Sequence, residues 1–451
     1  MTDTDSTIVA STWTQALRPP EKLPKAADVV IIGGGIVGVS TAWFLARQGV
    51  QVVLCEKGHI AGEQSGRNWG WVRVQGRDAR EIPMMLESIR IWDRLQEDTG
   101  EDVGFVRRGC LFTAGSDKEM RSFENWIAVA GDYGIESRLL SATELKKLVP
   151  GSALKRAGAV YTESDGRAEP HKAAPAIARA AQRAGATILT SCAVRGIETS
   201  GGAVSAVVTE HGTISAPTVL CAAGAWSSMF CRSLGVGVPQ LKVRGTVART
   251  APCENVLEGN LFDERLGVRR RQDGGLTLAH GTILQHPVTP STFRWGVKFI
   301  PALMQELKVL RLSFGKEFFE EWRQPASWDL DAVSPFEQTR VLNPEPSAKV
   351  LKGIRRNLDT MFPQLADTPI VESWAGMVET SPDVVPMIGA VDGKPGFYLA
   401  TGFSGHGFGL GPGAGKVIAG MLTNTDTGID IAPLRLGRFF DGSPIKPQST
   451  I

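Results

Sequence analysis

Gly33, Gly35 and Gly38 stand in G-x-G-x-x-G spacing between an apolar run at 29–32 and an apolar-periodic stretch that stops at Gly49. A second apolar run follows and ends on Glu56. This predicts strand, tight turn, helix, strand: the opening of a dinucleotide-binding α/β domain. Gly33 permits the turn, Gly35 lets backbone approach a pyrophosphate, and Gly38 lets the helix lie against the strand. Ile36 and Val37 open the helix, whose free N–H groups face the phosphates. Glu56 is placed to accept both ribose hydroxyls of an adenosine, with Lys57 beside it.

At 451 residues the chain is long enough for two domains. A net charge of +2 and the lack of any Lys/Arg run argue against bulk nucleic-acid binding. Six scattered cysteines without C-x-x-C spacing read as reduced core thiols of a cytoplasmic protein, and the six histidines show no metal-ligand pairing. Residues 1–24 read as a polar tail with neither signal-peptide nor membrane-span pattern.

Residues 57–78 are too glycine-rich and polar for a helix or core strand, and a loop this long is usually functional. Gln64, Ser65, Arg67, Asn68, Trp69, Gly70 and Trp71 suit a wall against a flat, phosphate-bearing ligand. Helices are expected over 83–100, 117–131, 141–149 (Ser141 and Glu144 as a capping box), 170–185 and 344–361, a strand pair over 105–114, and a β-meander over 194–220 that begins at Val194. The turn at Ala223, Gly224 and Trp226 would approach the nucleotide from the other side. Strand alternation over 266–272 puts Leu266, Val268, Arg270 and Gln272 on one face, where Arg270 needs an anion, and sends Arg269 and Arg271 to solvent. Residues 291–323 interleave aromatic, aliphatic and cationic side chains as one or two amphipathic helices, to pack on their own domain or to dock on a membrane or partner. Near the end a strand at 397–400 enters Gly402, Phe403, Ser404, Gly405, His406 and Gly407, a second glycine-rich strand-to-helix turn whose N–H groups could stabilise negative charge on a reduced ring. His406 could share in this or make a structural hydrogen bond.

This order of motifs resembles the FAD-dependent D-amino-acid-oxidase-like superfamily over about residues 27–435. The marks are the 29–38 turn with Glu56-Lys57, Ala61 to Asn68, Cys221 to Trp226, and Gly402 to Phe408. Three further segments, 56–65, 293–301 and 327–338, resemble the flavin L-amino acid deaminases of the Proteus type. The resemblance implies a Rossmann-like FAD-binding domain (25–80, 155–235 and 345–435) with an α+β substrate-binding domain (81–154 and 236–344) whose insertion is 291–330. It implies Arg270 as the substrate-carboxylate clamp, Trp71, Phe403 and His406 at the reacting end, and Gly376 among the residues around FAD. It also implies an insertion associated with the inner face of the membrane and its electron acceptors, oxygen or a quinone. The deaminases carry an N-terminal membrane helix absent here and a pocket glutamine where this chain has Trp71. Ser404-Gly-His-Gly is shared instead with sarcosine- and dimethylglycine-type enzymes. No cysteine follows Cys253, and Gly66 stands where the dimethylglycine-type enzymes carry a flavin-linking histidine, so FAD is expected to be non-covalent. The expected activity is oxidation of an amino acid or amine to an imine, which hydrolyses to a keto acid and ammonia or an amine. The alternatives are a secondary-amine oxidase or dehydrogenase, and a flavin-carrying subunit of a larger amine dehydrogenase without turnover of its own.

Overall fold

The computed structural model describes Leu17 and residues 22–281, 283–306 and 310–447; most of the expected tail lies outside them. Two sheets organise the molecule. The first has six strands in the order Met387–Ala390, Phe397–Thr401, Thr218–Cys221, Val29–Ile32, Val52–Cys55, Thr187–Leu189, parallel except for the first. Val29–Ile32 is buried throughout, as expected of a strand covered on both faces. One face carries the helices Ile36–Arg47, Pro170–Arg183 and Gly407–Thr423; the antiparallel meander of residues 194–215 packs on the other.

The second sheet has ten strands. In its middle, Leu241–Thr250, Leu276–Ala279, Gly267–Arg270, Asn260–Phe262 and Cys110–Ala114 run side by side, and Ile370–Thr380 pairs antiparallel along Leu241–Thr250. Leu111, Leu261, Leu266, Val268, Leu276 and Leu278 bury one face under the helix Ala348–Met361. The expected helix at 141–149 is present as Ala142–Leu148, with Ser141 and Glu144 forming the capping box.

Several expectations change. Gly158–Thr162, Ala348–Met361 and Ile370–Thr380 belong with the larger sheet, although their segments were assigned to the FAD-binding part. Val106–Arg107 and Cys110–Ala114 are not a pair. The first bonds Gly166–Arg167 and the second bonds Gly158–Thr162, because Gly109, at φ 75°, turns the chain between sheets. In the 57–78 loop Gln64–Arg67 makes one helical turn and Trp71–Val72 a short strand. The amphipathic segment is two helices, Pro290–Glu306 and Lys316–Arg323, around a strand Leu310–Ser313 that extends the large sheet; Leu307 and Lys308 lie outside the described residues.

Candidate functional site

The glycine turn is tightly built. A Cβ on Gly33, whose φ is +113°, would lie 2.5 Å from the Ala222 carbonyl oxygen, and one on Gly38 would lie 2.1 Å from the Gly33 carbonyl oxygen. The helix begins at Ile36, whose N–H donates to Ser65 Oγ at 2.8 Å. Glu56 accepts from Gly34 N–H and Gly58 N–H at 2.7 Å each. Burial pushes its carboxyl up, against the pull of these two N–H groups.

From this turn a cavity runs between the two sheets to the start of the helix Gly407–Thr423. Gly33, Gly35, Ile36, Val37, Glu56, Lys57 and Val194 line one part of it. Gln64, Ser65, Asn68, Ala223, Gly224 and Trp226 line the middle, and Phe403, Gly405 and Gly407 close the far end. Stretches more than 300 residues apart in sequence therefore face one elongated space. The lining also has unmet capacity for a ligand: Gln64 Oε1 is buried without a hydrogen-bond partner. This fits a long dinucleotide with a second ring system.

The other predicted residues do not line this cavity; they shape its walls. Gly38 supports the turn. Arg67 donates to Gly62 O at 3.0 Å, Asn343 Oδ1 at 2.6 Å and Ala375 O at 3.0 Å, tying the loop to the large sheet. A Cβ on Gly376 would lie 1.8 Å from Gln64 Oε1, so this strand must pass the loop bare. Gly402 and Ser404 have φ of 72° and 53°, and Ser404 Oγ donates to Gly402 O. His406 is the N-cap of the last helix, where its Nδ1–H donates to the fully buried Glu81 carboxylate at 3.0 Å. Burial opposes ionisation of Glu81, but His406, Arg77 and Arg73 outweigh it and hold the carboxyl low. Burial and Arg77 push the imidazole's pKa down, against the pull of Glu81.

Arg270 is a correction. The strand Gly267–Arg270 is buried on both faces, so its alternation does not separate inside from outside. Leu266 and Val268 face the core under Ala348–Met361, and Arg270 at the end of that side donates to the carbonyls of Cys253 and Glu254, away from the cofactor cavity. Arg269 and Arg271 do not reach solvent. Arg269 is 1% exposed and makes a bidentate pair with Glu169 at 2.9 and 3.1 Å, beneath Gly70; Arg271 pairs with Asp273. Losing one partner of so buried a pair costs about 3–5 kcal/mol.

Beside Trp71, just past the short strand Trp71–Val72, stands a further cation, Arg73. Trp71 and Arg73 alternate outward from a short strand while Val72 and Val74 bury against the last helix. Trp71 meets Trp69, Phe112 and Phe262 at centroid distances of 5.2, 6.4 and 6.5 Å, and its Nε1 is buried without a partner. The Arg73 guanidinium lies 5.0 Å over the Phe112 ring. Apart from a bond to the Gln75 carbonyl it makes no ion pair among the described residues. Around it stand Arg77, the ionised Glu81 and Asp165, whose carboxyl burial pushes up to about 7. Glu379, at the cavity edge, is likewise raised to about 7 by burial. The sequence reading missed Arg73, Glu81 and Glu379; the Trp71–Arg73 alternation was the one signal available for them.

The sequence matches the FAD dependent oxidoreductase family over residues 28–421. The chain belongs to that family. The L-amino acid deaminase of Proteus myxofaciens, solved in complex with anthranilate, is 32% identical with a TM-score of 0.90, over 94% of this chain and 96% of that one. The Proteus vulgaris L-amino acid deaminase is 29% identical with a TM-score of 0.89, over 94% and 99%. Mouse mitochondrial sarcosine dehydrogenase is 28% identical over 93% of this chain, which spans only 42% of that protein's length. Sarcosine oxidase subunit beta of an Arthrobacter species is 25% identical, over 93% of this chain and 92% of that one.

Proposed function

We propose that the protein oxidises an amino acid or related amine at the carbon bearing nitrogen, giving an imine that water hydrolyses to a keto acid and ammonia or a smaller amine. The observation that carries the reading is Arg73, which makes no ion pair among the described residues, beside the Trp71 and Phe112 rings, with Trp69 and Phe262 packed on these. FAD, when bound, supplies the two-electron redox chemistry. Its two ends would be held by the Gly33–Gly38 turn with Glu56 and by the Phe403–Gly407 turn. Arg73 binds the substrate carboxylate and so fixes which face of the reacting carbon is presented. The aromatic walls exclude water and take an apolar side chain or N-alkyl group. That the Proteus myxofaciens enzyme was solved with anthranilate, an aromatic carboxylate, supports this pairing of cation and rings.

The test is anaerobic bleaching of bound FAD by both enantiomers of the common amino acids, N-methyl amino acids and simple amines. Carboxylate-bearing amines should bleach it. If no amine does, a flavin-carrying subunit without turnover takes the place of this reading. The sarcosine-type relatives and the Ser404-Gly-His-Gly turn favour a secondary amine as second reading. Ammonia as product marks a primary amine; an aldehyde or second amino acid marks an N-alkyl one.

We also propose that the helices Pro290–Glu306 and Lys316–Arg323 dock on a membrane. No described helix is long and apolar enough to cross one, but Phe293, Val297, Met304, Phe314 and Trp322 are each 66–81% exposed. Apolar side chains so placed beside cations suit an interfacial contact. Sedimentation with anionic vesicles should be lost when Phe293 and Trp322 are both replaced by serine, and equal sedimentation of the two proteins would count against docking.

A further inference from the structure

A second cavity, of about 400 Å³, lies where the short strand Gly166–Arg167 meets the end of Gly267–Arg270. It shares no lining residue with the cofactor cavity. Three arginines line it: Arg167, Arg270 and Arg271. Arg271 is paired with Asp273 at 3.0 Å. Arg167 is 8% exposed and donates from Nε to the Glu258 carbonyl at 3.0 Å. Arg270 donates from Nη1 to the carbonyls of Cys253 and Glu254 at 3.2 and 3.3 Å. Neither of these two guanidiniums has a carboxylate within 4.0 Å among the described residues.

The acids that border the cavity are committed to other partners. Asp102 accepts from Lys172 at 2.6 Å and from Gln272 at 2.9 Å. Glu258, on the exposed rim, lies 3.8 Å from Arg108 and accepts from Asn255. With those pairs set aside, the positive charges of Arg167 and Arg270 are left over. Burial and the neighbouring Arg269 push the Arg167 pKa down to about 10, against the pull of Glu169 and Glu258. A guanidinium buried this far is costly unless an anion completes it. Each carries five N–H donors in a planar fork, and the carbonyls named above take few of them.

We propose that this cavity binds a phosphate group, free or carried by a small metabolite, between Arg167 and Arg270. The two guanidiniums come from two separate strands, so the ligand must offer oxygens in two directions and a charge for each. A phosphate dianion does both, and the guanidinium fork matches its oxygens. The volume falls within the roughly 300–1,000 Å³ of small-molecule sites, which leaves room beyond the phosphate itself. Once bound, the anion ties Gly166–Arg167 to the 253–258 loop and to Gly267–Arg270. Arg167 is the register partner of Trp71, so the same anion braces the short strand that carries the aromatic wall. The binding does not depend on what the protein oxidises, so failure of either reading leaves the other standing.

The test is isothermal titration of the FAD-loaded full chain with inorganic phosphate and with glycerol 3-phosphate, at an ionic strength fixed with sodium chloride. Bound FAD fills the cavity that already takes a pyrophosphate. Both ligands should bind, and the melting temperature should rise with phosphate but not with chloride. Tighter binding of glycerol 3-phosphate points to a phosphorylated metabolite, and equal binding to free phosphate. Arg167→Leu and Arg270→Leu should each raise Kd by about tenfold or more, with FAD content unchanged. Arg270→Leu, at the less buried position, decides the matter if Arg167→Leu folds poorly. Equal Kd in wild type and both variants, the same melting temperature in phosphate and chloride, or displacement of phosphate by amino acids overturns the proposal.

Discussion

The Gly38→Ala protein is expected to be isolated almost free of FAD. The added methyl would sit 2.1 Å from the Gly33 carbonyl oxygen, and both are backbone-bound positions with no side chain to move aside. Relief requires the helix to slide from the strand or the turn to open. Gly33 is already fixed from its other side, because its own Cβ position lies 2.5 Å from the Ala222 carbonyl. Either movement shifts the N–H groups that face the pyrophosphate, so FAD content should fall by about tenfold or more. The ratio of flavin to protein absorbance checks this. In the wild type, acid precipitation should leave the FAD in the supernatant, because it is proposed to be held without a covalent bond. Flavin in the pellet would remove that part of the proposal, and a fully loaded Gly38→Ala protein would remove the first.

Arg73→Leu should raise KM for carboxylate-bearing amines by roughly 30- to 700-fold, the range for losing about 2–4 kcal/mol when one partner of a desolvated ion pair is truncated. KM for amines without a carboxylate should barely move. Leucine keeps the contact with Phe112 while deleting the charge. Arg270→Leu serves as the contrast: its guanidinium bonds carbonyls on the far side of the sheet, so substrate KM should be close to wild type. The reverse pattern, a large effect at Arg270 and none at Arg73, would restore the clamp to Arg270.

Much of the cofactor half was legible in the sequence because each signal there is local. Glycine spacing, an apolar strand and an acidic strand end lie within thirty or so residues and each has one mechanical meaning. The turn at Cys221 to Trp226 and the turn at Gly402 to Gly407 could be read singly, but their meeting required the parallel pairing of Thr218–Cys221 with both Val29–Ile32 and Phe397–Thr401. The substrate side was misread for a definite reason. Alternation tells inside from outside only when one face is wet, and Gly267–Arg270 has no wet face. Arg269 is as deeply buried as Val268, and only the distant Glu169 makes that tolerable. Arg73 was overlooked for the opposite reason: it lies just past a strand of two residues, Trp71–Val72, too short for periodicity to stand out from a loop.

The six-stranded sheet carries one more consequence. Its central strand, Val29–Ile32, lies one strand away from Phe397–Thr401, which leads into the helix that closes the far end of the cofactor cavity. During synthesis the glycine turn leaves the ribosome well before the Gly402–Gly407 turn, and its site is complete only once that later stretch has followed. Contacts this distant in sequence make folding slow and expose sheet edges in the interval. FAD binds only the finished arrangement and stabilises it by mass action. The yellow colour of the protein would then report that the last helix has docked, and cellular flavin supply would set how much of the newly made chain survives to that point.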